Sequence, residues 1–302
     1  MTRRRWMASG AAAGLAARPA GAASGADPES DGPTPLFRRA AADAAAGLRR
    51  PAVAPWERQV QIFYPRWMFG AWTLAFRREG SVAPLGAAAA PVRLPQLLAA
   101  PAGEGVEIEA RFYSTLPDTL RNNLAVNLGL LPSDAIIADR AFNVASLNAG
   151  GGVAGAEYST REKPGEMEVR YRSDGPAGPR KAVIYYQNAR GEEGSTPAGD
   201  GGGLAAAFAT SEMVRQVNLG VRSVETQDFE VITAYTRHSP TVITGRLRLA
   251  AYLTPQDADY FVAFGRPVEV DDWSFTMVRR ETPGVAAGVV CVETPKDVIQ
   301  CV

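Results

Sequence analysis

A chain of 302 residues with one histidine and two cysteines has little from which to build the commonest catalytic devices. A zinc site of several His or Cys ligands is excluded by count. A Ser-His-Asp or Cys-His arrangement would have to use His238 as its base. That residue sits in "TRHSPT", a turn between two apolar segments, where an imidazole is ordinarily solvated. No run approaches the ~20 apolar residues of a membrane-crossing helix. Charge imbalance is missing too: 32 basic residues meet 32 acidic ones, so no nucleic-acid surface is indicated. No cofactor-binding pattern is found. The glycines of "GDGGG" (Gly199 to Gly203) lack the flanking strand, helix and Lys of a phosphate loop, and they read as a flexible loop.

Gly, Pro and Ala are concentrated at the start of the chain. "TRRRWM" places Arg3 and Arg4 just ahead of Trp6 and Met7, and a weakly apolar Ala/Gly run and "RPAGAASGA" follow. This order is that of an export signal over residues 1–23, of the twin-arginine type. Cleavage near Ala22 would remove Arg3, Arg4, Arg5 and Arg18 and no acid, taking the net charge from 0 to −4. Residues 24–55 read as a Pro/Ala/Arg-rich linker with one candidate helix, "PLFRRAAADAAAGLRR". Residues 281–302 form a tail holding Cys291 and Cys301. In an exported protein these can pair as a disulfide, and two free thiols are the alternative.

Residues 56–280 read as a single domain, and from Phe69 onward its apolar period is two. "VEIEARFY" sets Val106, Ile108, Ala110 and Phe112 against Glu107, Glu109 and Arg111. "MEVRYR" sets Met167, Val169 and Tyr171 against charges, and "RLRLAAYL" does the same with Leu247, Leu249, Ala251 and Leu253. "FEVITAYTR" offers Phe229, Val231, Thr233 and Tyr235, and "DDWSFTMVRR" offers Trp273, Phe275 and Met277. Strict alternation predicts strands with one buried and one wet face. Turn clusters such as "REKPGE" and "SDGPAGP" separate them. Eight to ten antiparallel strands are expected, with no helix alternating between them. The fold class is mostly β, and a closed barrel removes the exposed edges that a sandwich leaves.

"YPRWMFGAW" (Tyr64 to Trp72) precedes the first strand. Its Gly70-x-Trp72 resembles the G-x-W opening of lipocalin-like barrels. That resemblance implies an antiparallel barrel with an N-terminal lead-in, the Trp closing one end and the Gly letting the chain turn in close beneath it. Trp67 and Tyr64 would then pack a preceding segment across that floor.

Further blocks extend the resemblance. "IFYPRWMFGAW…APLG", "ADRAFN", "VETQDFEVITAY" and "YLTPQDADYF…RPV" are similar to those of an uncharacterised domain family of cyanobacteria, algae and plants. The resemblance implies a thylakoid-lumen setting and no established activity.

The expected role is non-enzymatic binding of a small apolar or amphipathic ligand, such as a lipid, pigment or isoprenoid. Trp72, Ile108, Phe112, Leu247, Leu249 and Phe275 would line its site, and Arg140 would orient a polar end. A filled barrel that scaffolds a photosynthetic membrane complex is the alternative. A third reading, a cofactor-free barrel enzyme, would draw on the acid pairs Asp257/Asp259 or Asp271/Asp272. Asp139 and Arg140, read as neighbours in a strand, should face opposite sides. A structural salt bridge competes with ligand orientation as the role of Arg140.

Overall fold

The computed structural model describes residues 35–41, 47–52, 58–86, 105–115, 136–147, 153–160, 162–171, 181–198, 203–220, 224–282, 284–286 and 288–302. The residues of the export-signal reading lie outside these, as do residues 42–46 of the candidate helix and residues 199–202 of the glycine loop.

Helix α1 spans Pro35–Ala40. A one-turn 3-10 helix, Arg66–Met68, leads into β1, Gly70–Val82. Next come β2 (Gly105–Ser114), β3 (Ile136–Ala138), α2 (Arg140–Leu147), β4 (Val153–Tyr158) and β5 (Glu166–Tyr171). Two long strands follow, β6 (Lys181–Ala198) and β7 (Gly203–Leu219), then β8 (Val224–Arg237) and β9 (Val242–Tyr252). The short α3 (Tyr260–Ala263) precedes β10 (Glu269–Arg279), and the tail forms β11 (Cys291–Glu293) and β12 (Ile299–Cys301).

Strands β1 to β10 make one antiparallel sheet in the order β3-β2-β1-β10-β9-β8-β7-β6-β5-β4. Mostly β and antiparallel, as the alternation predicts, the sheet is nevertheless not a closed barrel. It is a strongly curled half-barrel whose end strands β3 and β4 do not pair. The reason lies in "ADRAFN". β3 is only three residues long. Asp139 then ends it by capping α2: its Oδ1 accepts from Phe142 N at 3.1 Å. The chain therefore enters a helix where a barrel strand would have continued. α2 packs on both β2 and β4 and occupies the gap. It also serves the vacant edge of β2. Asn143 Oδ1 accepts from Arg111 N at 2.8 Å, and Ser146 Oγ accepts from Glu109 N at 2.8 Å. Side chains thus replace the missing strand partner.

The concave face holds the main core. The inward set on β2 is Ile108, Ala110 and Phe112, matched in register to Leu74, Trp72 and Gly70 of β1. Close curling needs small residues in places. A Cβ on Gly245 would lie 2.3 Å from the Phe275 ring and from Ala234 O, so glycine there lets Phe275 lie on the backbone.

The convex face is not wet throughout, which corrects the strict one-buried, one-wet reading. On β7 to β10 it carries Met213, Ile232, Ala250, Tyr252 and Val270, packed with Ala40 and Leu48 of the lead-in. Two buried charges anchor that lead-in. Glu230 is fully buried and accepts from Arg39, from Ser211 Oγ at 2.6 Å and from Tyr252 Oη at 2.9 Å. Arg248 pairs with Asp272 through two bonds of 2.7 and 2.9 Å and donates to the carbonyls of Arg39 and Ala41. Arg39 thus holds segment 35–41 on the sheet, and Arg50, 2.7 Å from the buried Asp228, does the same for 47–52.

The tail is docked as well. Cys291 and Cys301 form a disulfide across the β11–β12 pair. Gln300 exchanges two 2.9 Å bonds with the backbone of Ser114, at the end of β2.

Candidate functional site

One end of the half-barrel is plugged by the opening motif. Trp72 is fully buried and donates from Nε1 to Met68 O at 2.8 Å, in the 3-10 helix. Gly70 has φ +122°, and a Cβ there would lie 2.7 Å from Arg279 and from Val290 of the tail. Only glycine accommodates both the conformation and the approach. Arg279 completes the plug. Its guanidinium carbon lies 4.2 Å from the Trp72 ring centroid, and it donates to the carbonyls of Phe69, Trp67 and Pro240. Burial, with Arg237 nearby, lowers its pKa to about 10. Its role had no signal in the sequence, since Arg279 closes β10, Arg280 follows directly, and spacing does not say which turns inward.

Beyond the plug, the concave face encloses a cavity of about 230 Å³. Six of the seven expected ligand-lining residues bound it: Ile108, Phe112, Arg140, Leu247, Leu249 and Phe275. Trp72 does not; it is the floor beneath. The walls differ in chemistry. Leu74, Phe76, Ile108, Ala110, Leu247 and Phe275, from β1, β2, β9 and β10, make an apolar side. The opposite side is mixed: Glu212 and Thr210 of β7, Thr233 and Tyr235 of β8, Tyr64 and Arg140 supply polar groups, among Met167, Ile184, Val214, Phe229 and Val231. Thr210 and Thr233 are direct register partners.

Arg140 is the first residue of α2, not a strand residue. The Asp139 cap fixes where the helix starts and so sends the next side chain inward. Arg140 is buried, and both of its terminal nitrogens are engaged. Nη2 donates to Glu212 Oε1 at 2.5 Å and to Val60 O at 2.9 Å, and Nη1 donates to Tyr158 Oη at 2.9 Å and to Pro164 O at 3.4 Å. Its guanidinium carbon lies 3.5 Å from the Tyr186 ring centroid. Burial disfavours this cation. The Glu212 carboxylate and the phenols of Tyr186, Tyr158 and Tyr64 more than offset that, and the proton is held more tightly than on an ordinary arginine. Glu212 is the partner that sequence reading missed, because alternation ranks a lone Glu in an apolar strand no higher than any surface acid.

Burial raises the phenol pKa of the cavity tyrosines. Tyr64, Tyr186 and Tyr235 all lie well above the ordinary tyrosine value, and the Glu212 charge adds to the effect. These hydroxyls are therefore neutral donors at physiological pH. Asp139 is also raised, by burial, against the opposing pull of Phe142 N–H and Arg111.

Three members of the acid pairs are held by neighbouring groups. Asp271 is held by Arg78 at 2.8 and 3.0 Å, while Asp272, next along β10, pairs with Arg248. Asp257 Oδ2 accepts from Thr254 N and Thr254 Oγ1 and closes a turn. His238 is exposed at the β8–β9 turn, with Nε2 2.7 Å from Thr244 Oγ1. Among the described residues no group of three or more His, Cys, Asp or Glu could hold a metal ion, and no helix is long and apolar enough to cross a membrane.

The family model of a domain of unknown function, DUF6816, matches residues 58–281, about three quarters of the chain, and the chain belongs to that family. No curated protein and no solved structure matches.

Proposed function

As the activity of this DUF6816 member, we propose non-enzymatic binding of a small apolar or amphipathic molecule in the concave cavity. One observation carries the proposal: a mostly apolar hollow of about 230 Å³ holds a few polar groups on one side, Glu212, Thr210, Thr233, Tyr235, Tyr64 and Arg140. Such a division suits a ligand with a hydrocarbon body and a polar end. The volume falls below the ~300–1,000 Å³ of sites for drug-sized molecules. A short isoprenoid or lipid, or one end of a longer chain, fits it better than a whole pigment. The lipocalin-like reading belongs here as well. Gly70 and Trp72, plugging one end of the curled sheet, support it.

The setting we propose is an exported one, a thylakoid lumen or a periplasm. Arg3 and Arg4 support it, and the Cys291–Cys301 bond supports an oxidising compartment. The test is native mass spectrometry of the chain purified from its own host, compared with the denatured mass. An extra small-molecule mass present only in the native spectrum supports binding, and a clean apo mass in both speaks against it.

A second reading, docking to a membrane protein complex, is favoured by a separate feature. Phe261, Val262 and Phe264, in and after α3, are 84%, 71% and 84% exposed. Apolar side chains so exposed in one tip mark a contact surface. Replacing all three with Ser would abolish co-purification with a complex and leave small-molecule binding intact.

A further inference from the structure

We propose that the cavity selects uncharged amphiphiles, with a hydroxyl or carbonyl head, and rejects carboxylates. This narrows the binding reading above and rests on it.

A lone buried arginine in an apolar pocket invites an anion. Arg140 is not such a residue. Its four Nη hydrogens face four acceptors: Glu212 Oε1, Val60 O, Tyr158 Oη and Pro164 O. The Tyr186 ring covers its flat face. No terminal donor is left for a ligand carboxylate.

The group that does face the cavity with spare capacity is an acceptor. Glu212 lines it, with Oε1 taken by Arg140, and no described residue donates to Oε2. A ligand hydroxyl can donate to Oε2. The hydroxyls of Thr210 and Thr233 and the neutral phenols of Tyr64 and Tyr235 stand on the same wall, able to donate to a carbonyl or accept from a hydroxyl.

Charge leads to the same conclusion. Arg140 and Glu212 cancel within the pocket, so an entering anion loses its hydration and gains no net counter-charge. A neutral head loses far less.

The matched pair 1-octanol and octanoate tests this, titrated by calorimetry into the full folded chain at pH 7.5. Octanol should bind at least about 30-fold more tightly than octanoate, the size of effect expected when a charge is desolvated unpaired. Glu212→Gln keeps the shape and uncovers the arginine charge, so octanoate should gain at least about tenfold relative to octanol. Plain hydrophobicity does not predict that reversal. Should Glu212→Gln fail to fold, Tyr235→Phe should weaken octanol by about fivefold, one hydrogen bond's worth, and octanoate should remain the weaker ligand; an octanol affinity unmoved by the loss of the hydroxyl overturns the proposal. Octanoate binding as well as octanol to the wild type overturns the selectivity while leaving the cavity reading in place. If neither probe binds the folded chain, both readings fail together.

Discussion

Arg279 lies across the face of Trp72, 4.2 Å from its ring centroid, and ties that ring to the backbone of the turn preceding it. The two residues are direct register partners at one end of the β1–β10 ladder, more than two hundred positions apart in the chain. The plug is therefore a long-range closure, in which the last strand of the sheet locks the first. Replacing Arg279 with Ala should destabilise the fold by about 2–4 kcal/mol, from one cation–π contact and several carbonyl bonds. Arg279→Lys should recover only part of this, because an ammonium cannot both lie flat on the indole and reach Trp67 O and Pro240 O. Chemical denaturation of the three proteins checks it.

The convex face makes a different demand. Glu230 is fully buried and held by Arg39, Ser211 and Tyr252. Glu230→Ala leaves Arg39 without its carboxylate and should cost about 3–5 kcal/mol. It should also loosen the segment containing α1. Limited proteolysis will then remove the N-terminal segment from the variant well before it does so from the wild type.

Much of this arrangement was legible in the chain, and the illegible parts share a cause. Alternation identifies inward residues such as Ile108, Phe112, Leu247 and Phe275, because a period of two is a local property. It cannot tell that Arg248 and Glu230, on the opposite face, are buried, because their cover comes from residues some two hundred positions earlier. Nor does it separate a capping Asp139 from a strand Asp139. That one distinction sends Arg140 into the cavity from a helix and leaves the sheet open. The Arg140–Glu212 pair joins residues 72 positions apart, a separation at which sequence pattern is silent.

Reduction of Cys291–Cys301 should have a small, local effect. The closed loop is short, so chain entropy assigns the bond roughly 2–3 kcal/mol. The reduced chain should keep its sheet and lose the Gln300–Ser114 contacts, with increased hydrogen exchange confined to β11, β12 and the adjoining end of β2. Exchange throughout the sheet would show the tail to be integral to the core.

Alkaline pH should unfold the protein through its tyrosines. Tyr64, Tyr186, Tyr235 and Tyr252 all have pKa values well above the ordinary 10, chiefly through burial, and Tyr113 is pushed up to about 12. A phenol whose pKa is raised by folding adds stability that is complete below pH 10 and is lost as pH rises through the folded value. Absorbance at 295 nm should therefore show a minority of tyrosines ionising freely. The rest should ionise together with loss of β circular dichroism. Independent titration of all nine, without unfolding, contradicts the burial described here.

The central claim is a hollow amphipathic cavity, and filling it is the direct test. Ala110 lies on the apolar wall, midway along β2. Ala110→Phe would place a ring in the space that a ligand needs. The measurement is octanol binding by calorimetry, with thermal stability, for wild type and variant. If the cavity is an empty binding site, the variant folds with unchanged or higher stability, because the ring buries apolar surface without displacing neighbours, and octanol binding disappears. If the space is already filled, the variant loses about 1–3 kcal/mol to overpacking, and the wild type binds no octanol to begin with.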